Sequence, residues 1–442
     1  MNFRKRNELS LCDMKLEVTN MSNVTFSPFV PHGTVDAPPS KSDVHRAIIC
    51  AALSRGVCTI APVALSNDIR ATIACVEALG ATTKLEHNVL TVDGSGMFQN
   101  KTAALDCGES GSTLRFMIPV AALGGVTAVF SGSGRLPQRP IGVYTEALPP
   151  AGVTCETAGG LPLTVSGQLR SGDFYLPGNV SSQFITGLLL ALPLLKGDSR
   201  ILLTSPIQSA GYIRMTIRTM AKFGIEISLL DNGWYIRGGQ HYVPTDYHSD
   251  GDWSQAAFYL VMGAIGGDVE VTGVHTDSAQ GDRRIAALLR EFGADVDQDG
   301  DRIRVRQRPL KAITIDASQI PDLVPVLAVC ASFAEGVTKI GHAERLRDKE
   351  SDRLRSTAAL LNSLGGKVRE LPDGLEITGV DRLTGGSCDG CNDHRILMSA
   401  AVCAANAEAP VVCTDAESVN KSYPDFFDDY QTVGGNSQIE SC

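Results

Sequence analysis

A short structural grammar recurs along most of this chain at a spacing of about 70 residues, and it limits the fold more than any other feature. Each copy is a helical stretch ending in an apolar residue and Gly, then a strand, a turn and a second strand. Copies read CVEALGATTKLEHNVLTVDG from Cys75, MAKFGIEISLLDNGWYIRGG from Met220, LLREFGADVDQDGDRIRVR from Leu288 and LLNSLGGKVRELPDGLEITG from Leu360. A weaker copy, ALPPAGVTCETAGGLPLTVSG, starts at Ala147. The anchoring glycines Gly80, Gly152, Gly224, Gly293 and Gly365 lie 72, 72, 69 and 72 residues apart. Common solenoid repeats run about 20–50 residues, so this period suits small α/β modules assembled into lobes.

Within one copy, Ile285, Leu288, Leu289 and Phe292 have helical spacing. The Gly then closes the helix, because it enters the left-handed conformation without strain. Alternation follows at Ala294-Asp295-Val296, a turn at Asp299-Gly300, and Ile303-Arg304-Val305, which predicts a hairpin. Further apolar runs, such as 256–265 and 324–334, precede the units. The fold class is therefore α/β or α+β, and 442 residues require at least two domains.

A composition of 43% hydrophobic and 20% charged residues is that of a soluble globular protein. The net charge of −10 argues against a nucleic-acid surface but leaves room for a local basic cleft. No apolar run reaches the roughly 20 residues of a membrane span. The first 30 residues have basic side chains without a signal peptide's apolar centre and read as a frayed leader. The last ten, from Val433, are polar and read as loose. Twelve scattered cysteines fit a reducing cytoplasm. Cys388 and Cys391 bracket Asp389-Gly390 with His394 nearby, the form of a redox pair or half a zinc site. A zinc site needs a second ligand pair, for which Cys403 and Cys413 are poorly placed, so a Gly-containing turn is the simpler reading and no metal is expected.

Charges converge at helix starts. Pro38-Pro39-Ser40-Lys41-Ser42 leads into a helix that carries Arg46. Gly108-Glu109-Ser110-Gly111-Ser112-Thr113-Leu114-Arg115 does the same with small residues that admit a ligand close to the backbone. Anions favour such positions, although an ordinary cap would explain either segment alone. Arg139 sits between prolines and is held for a phosphate or carboxylate. Ser181, Ser182 and Gln183 offer polar contacts to a polyol. Asp322 opens an apolar helix, where an N-cap is the plainer reading. The run Arg345–Arg355, with Lys349, Glu350 and Arg353, has a solvated charged face as its plain alternative. Asn392-Asp393-His394-Arg395 and Asn420-Lys421-Ser422-Tyr423 complete the set.

Taken in order, PSKSxxHRA, SGSTLRF, QRPIG, SSQFITGLLLA, KESDRL, NDHR and KSYPDFF resemble the 5-enolpyruvylshikimate-3-phosphate synthase family over residues 30–430. The resemblance implies two lobes, each of three βαβαββ modules, in an enolpyruvyl transferase-like inside-out α/β barrel. One lobe would be continuous over 39–249, and the other discontinuous, 1–38 plus 250–442, with the active site in the cleft between them. It implies a transferase of the shikimate pathway, in aromatic amino acid biosynthesis by way of chorismate. The enolpyruvyl group of phosphoenolpyruvate would pass to the 5-hydroxyl of shikimate 3-phosphate with release of phosphate. Lys41, Asp322 and Glu350 would be catalytic. Lys41, Gly111, Arg139, Arg353, Arg395 and Lys421 would bind phosphoenolpyruvate. Shikimate 3-phosphate would meet Ser42, Arg46, Ser181, Ser182, Gln183, Ser209, Asp322 and Lys349, with Tyr212 in the same pocket and Ser205 competing with Ser209 for its place. No cofactor, nucleic acid or membrane partner is implied, and the enzyme would be a cytoplasmic monomer.

The chain departs from the family pattern at Glu109, at Asp348 and at Arg345, for which no role is carried over. These departures are similar to the branch less sensitive to glyphosate. The rival reading is the sister enzyme acting on UDP-N-acetylglucosamine. That enzyme has Lys-Asn where this chain has Lys41-Ser42, and a reactive Cys on the loop matching 131–139, which lacks one here. A more remote rival is a non-catalytic anion-binding protein, which would not need two acids beside its cations.

Overall fold

The computed structural model describes residues 22–441. The basic leader up to residue 21 lies outside the described residues, while Ser22–Phe26 is already a strand. Among the described residues, six four-stranded sheets share one strand order, and a two-stranded pair lies apart from them. In four of the sheets the first strand in the chain is parallel to the second, and the other two keep the same pattern with a strand brought from the far end of the segment, Asp246–His248 parallel to Val57–Ala61 and Ser437–Ser441 antiparallel to Ser22–Phe26. In those four the second is antiparallel to the last, and the last is antiparallel to the edge strand that precedes it. Asp295–Asp299 and Arg302–Arg306, for example, form the predicted hairpin, with Val296 opposite Val305. The helix before each hairpin ends at the predicted glycine: Gly80, Gly152, Gly224, Gly293 and Gly365 have φ of 111°, 88°, 83°, 105° and 90°. A Cβ there would be strained, so the repeat is written in backbone geometry.

A sixth copy corrects the expectation of a loose C-terminus. The helix Phe426–Thr432 ends at Gly434, whose φ is 89°. Ser437–Ser441 then pairs antiparallel with Ser22–Phe26, so the two chain ends together make the hairpin that is continuous elsewhere. The pairing covers an edge that Ser22–Phe26 would otherwise expose.

The buried apolar side chains form two clusters. One collects residues between Val24 and Val35 with those from Trp253 to Val433. The other runs from Val44 to Tyr247. Each cluster surrounds three helices buried on nearly every face: Lys41–Leu53, Gly111–Leu123 and Ser182–Ala191 in one, Trp253–Gly266, Val324–Ala331 and His394–Cys403 in the other. Helices fill the centre and sheets surround them, in the inside-out arrangement, and no described sheet closes on itself.

The chain passes between the clusters twice, and the two passages lie side by side. Pro39 bridges Gly251, Ser40 N donates to Asp250 O (2.8 Å), and Asp252 N donates to Pro38 O (2.8 Å).

Candidate active site

The buried helices point their N-termini at one another across the contact between the clusters. Lys41, Gly111, Ser182 and His394 are first residues of their helices, as is Arg353 of the helix Arg353–Ser363. Unpaired backbone N–H groups and the positive ends of the helix dipoles therefore converge on one cavity. Its free volume is about 70 Å3.

Every expected site residue lines that cavity except Lys421. The two acids share one arginine. Arg353 gives Nη1 to Asp322 Oδ1 (2.9 Å) and Nη2 to Glu350 Oε2 (2.7 Å). It is 1% exposed, and Asp393 holds it from behind at Nε (2.8 Å) and Nη2 (3.1 Å). Asp322 also accepts from Tyr212 Oη (2.5 Å) and lies 3.8 Å from Lys349 Nζ and 3.6 Å from Arg395 Nε. The N-cap alternative for Asp322 fails, because Leu323 holds that position for the apolar helix Val324–Ala331, Ile320 holds it for the 3-10 turn before it, and the carboxylate faces the cavity. Arg139 Nη1 is 3.7 Å from Glu350 Oε1.

Burial raises the proton affinity of the Asp322 carboxyl. Lys349, Arg395, Arg353 and the Tyr212 hydroxyl outweigh it, and the group stays well below its ordinary range. Glu350 behaves likewise, with burial opposed by Arg353, Arg139 and Lys349. Both are ionised. Burial brings Lys349 down to about 8 although Asp322 pulls it up. Burial, with Lys41 nearby, keeps His394 neutral.

The other wall comes from the first cluster. Arg46 donates to Thr216 Oγ1 (2.8 Å), to the Tyr212 carbonyl (3.2 Å) and to the Ser42 carbonyl, and lies 5.1 Å above the Phe116 ring. Gln183 accepts from Arg115 Nη1 (2.6 Å) and donates to Ser112 Oγ (3.0 Å). Ser181 caps the helix that Ser182 begins. Ser209 takes the place that Ser205 contested: it lines the cavity and accepts from Arg345 Nη2 (3.0 Å), while Ser205 bonds Asn179 and Gly178. Gly111 lies under Arg139, where a Cβ would come within 2.8 Å of the guanidinium.

Lys421 is the exception within the set. Its ammonium pairs with Glu109 Oε2 (2.9 Å) and donates to the Asn392 carbonyl, so it stands behind the cavity wall. The charged run 345–355 is not one solvated face. Lys349, Glu350 and Arg353 line the cavity, whereas Arg347 pairs outside it with Asp352 and Glu370. Cys388 and Cys391 bond neighbouring carbonyls of Val412 and Asp389 in a turn where Cys391 and Asn392 have positive φ.

Several participants were not singled out from sequence. Asp68 pairs with Lys41 Nζ at 2.7 Å. Arg115, Ser112 and Asp393 belong to the motifs without an assigned role, His394 is weighed there only beside the cysteine pair, and nothing around Asp68 distinguishes it. Arg345, left without a role, lines the cavity.

Two ionised carboxylates among convergent cations and helix N-termini define an enzyme site for small anionic substrates. Comparison with known proteins narrows the class. Residues 31–430 match the family EPSP synthase (3-phosphoshikimate 1-carboxyvinyltransferase). A 3-phosphoshikimate 1-carboxyvinyltransferase of Clostridium novyi is 43% identical over 429 residues, covering 94% of this chain and 98% of the relative. One of Clostridioides difficile is 39% identical, with 94% and 98% covered. The solved EPSP synthase of Acinetobacter baumannii superposes with a TM-score of 0.79 at 25% identity, covering 95% of this chain and all of the other. The chain belongs to the EPSP synthase family.

Proposed function

We propose that this cavity moves the carboxyvinyl group of phosphoenolpyruvate to the 5-hydroxyl of shikimate 3-phosphate and releases phosphate. The observation that carries the reading is the pair Asp322 and Glu350, largely shielded with side chains 13% and 16% exposed, and both gripped by Arg353 in a cationic cavity. Binding alone would need the cations without the acids.

The chemistry is addition followed by elimination. A proton reaches the enol carbon, which makes the neighbouring carbon electrophilic, and the hydroxyl attacks it as its own proton leaves. Phosphate then departs and a proton is taken from the new methyl group. Glu350 is assigned the carbon proton in both directions, and Asp322 with Lys41 the hydroxyl proton. Asp322 is ionised and ready to accept. Glu350 is ionised too, through Arg353 and Arg139. A bound substrate anion would neutralise those arginines and raise the proton affinity of Glu350, which suits a group that must also donate.

Lys41, Gly111, Arg139, Arg353 and Arg395 are assigned to phosphoenolpyruvate. Lys421 would join them only by leaving Glu109. Ser42, Arg46, Ser181, Ser182, Gln183, Ser209, Asp322 and Lys349 are assigned to shikimate 3-phosphate. The two packed clusters would act as lobes, residues 39–249 against the rest, closing about the paired passages at Pro39 and Gly251. The assigned residues complete the cavity within one chain, so the reaction needs no residue from a second subunit. Free thiols, with Cys50 and Cys330 buried, suit the cytoplasm. Glu109 beside Lys421 supports the less glyphosate-sensitive branch, since it offsets a cation that would serve the anion.

The experiment is phosphate release from phosphoenolpyruvate with shikimate 3-phosphate, run beside UDP-N-acetylglucosamine. Turnover with the first alone is expected. Turnover with the sugar nucleotide alone would transfer the chain to the sister reaction, and no turnover with either would leave only anion binding.

A further inference from the structure

A second cavity of about 850 Å3 opens at the end of the continuous lobe remote from the cleft, where its three buried helices finish. Arg55, Lys101, Arg170 and Lys196 line it with His241, and among the described residues no carboxylate does. Among the described residues none of these four cations makes an ion pair, and Lys101 reaches only the Phe98 carbonyl (3.3 Å). Beneath them Met97, Phe98, Leu195 and Tyr242 make an apolar floor. In a chain of net charge −10, unpaired positive charge is gathered at one mouth.

Helix C-termini attract cations, but that does not account for this mouth. Three helix ends carry about half a negative charge each, against four full positive charges. The last carbonyls are also occupied: Gln168 Nε2 holds Leu123 O (2.7 Å), Leu169 N holds Ala122 O (3.0 Å) and Gly239 N holds Leu195 O (2.6 Å). The other lobe supplies an internal control, being built of the same modules. Its matching cavity, about 640 Å3, is lined by Arg308 with Glu335 and Asp381, and Arg308 is paired with Asp295 at 3.4 Å. The fold therefore stands without the basic set. Arg55 also occupies a left-handed position, φ 54°, just after the helix Lys41–Leu53, where Gly is the unstrained choice.

We infer that this mouth is a second binding site, for a small organic anion with an apolar body. Its phosphate or carboxylate groups meet the rim cations and its body lies on the floor. The site shares no residue with the cleft.

The test uses the full chain with shikimate 3-phosphate already present. Phenyl phosphate is titrated calorimetrically into wild type and into the double variant R170Q/K196Q. Any binding left in the cleft is common to both proteins, so the difference belongs to the mouth. Wild type should bind with an affinity that falls as salt rises, and the double variant should lose about tenfold or more. Inorganic phosphate should bind more weakly than phenyl phosphate, because it cannot use the floor. Turnover without phenyl phosphate should be unchanged, which shows that the variant is folded. If the double variant loses turnover, Lys101→Gln makes the same comparison. Matching isotherms for wild type and variant, or inorganic phosphate binding as tightly as phenyl phosphate, would overturn the inference.

Discussion

Replacing Glu350 by Gln keeps the shape of the side chain and removes its charge and its capacity to carry a proton. Two effects follow, and they separate in kinetics. The proton-transfer role is worth about 10²–10⁴-fold in kcat, or roughly 3–5 kcal/mol of barrier at about 1.4 kcal/mol per decade. The electrostatic effect runs the other way for substrate binding. Arg139 Nη1 lies 3.7 Å from Glu350, and a charge pair near 4 Å is worth about 4 kcal/mol at an effective dielectric constant of about 20. Removing the carboxylate frees Arg139 for an incoming anion. Arg353 stays in place, because Asp393 and Asp322 still hold it. The KM for phosphoenolpyruvate should therefore not rise while kcat collapses. Steady-state phosphate release gives both constants. Incubation in D2O with both substrates adds a direct readout, since wild type should place deuterium on the methylene carbon of phosphoenolpyruvate and the variant should not. A kcat within tenfold of wild type, or a raised KM with normal kcat, would show that Glu350 binds and does not carry the proton.

Burial holds the Lys349 ammonium at about 8, so the free enzyme loses that charge as pH rises through this value. The kcat/KM for shikimate 3-phosphate should fall on the alkaline side with an apparent pKa near it, and Lys349→Arg should remove that limb, whereas an unmoved limb would assign it to another group. Gly111→Ala puts a Cβ about 2.8 Å from the Arg139 guanidinium. The arginine must shift, so KM for phosphoenolpyruvate and Ki for glyphosate should both rise, and unchanged constants would mean Arg139 touches neither. Fosfomycin should leave intact mass unchanged, because among the described residues no cysteine lines the cavity and hydroxyls such as Ser131 and Ser133 are poor nucleophiles near neutral pH. A stoichiometric adduct on a cysteine would favour the sister enzyme. Small-angle scattering should show a smaller radius with shikimate 3-phosphate bound than without it, as anions draw facing cations together, and equal radii would refute closure.

The repeating module was legible because its signals are local. Helical spacing, a glycine at the left-handed cap and a two-stranded alternation each lie within about 20 residues, and Gly80 through Gly365 adopt the backbone they announce. The helix starts that carry Lys41, Gly111 and Ser182 were legible for the same reason. The sixth module was not, because its hairpin joins Ser22–Phe26 to Ser437–Ser441 and no local pattern records a pairing across the whole chain. The polar C-terminal residues look loose until their partner strand is known. The cavity follows the same rule. Asp322, Glu350 and Arg353 were named from order and resemblance. That Asp393 grips Arg353, that Asp68 meets Lys41, and that Lys421 turns to Glu109 instead of the cavity are outcomes of packing. Backbone conformation is decided by neighbours in sequence. The partner of a buried charge is decided by what the fold brings within a few ångströms, and only the tertiary structure holds that information.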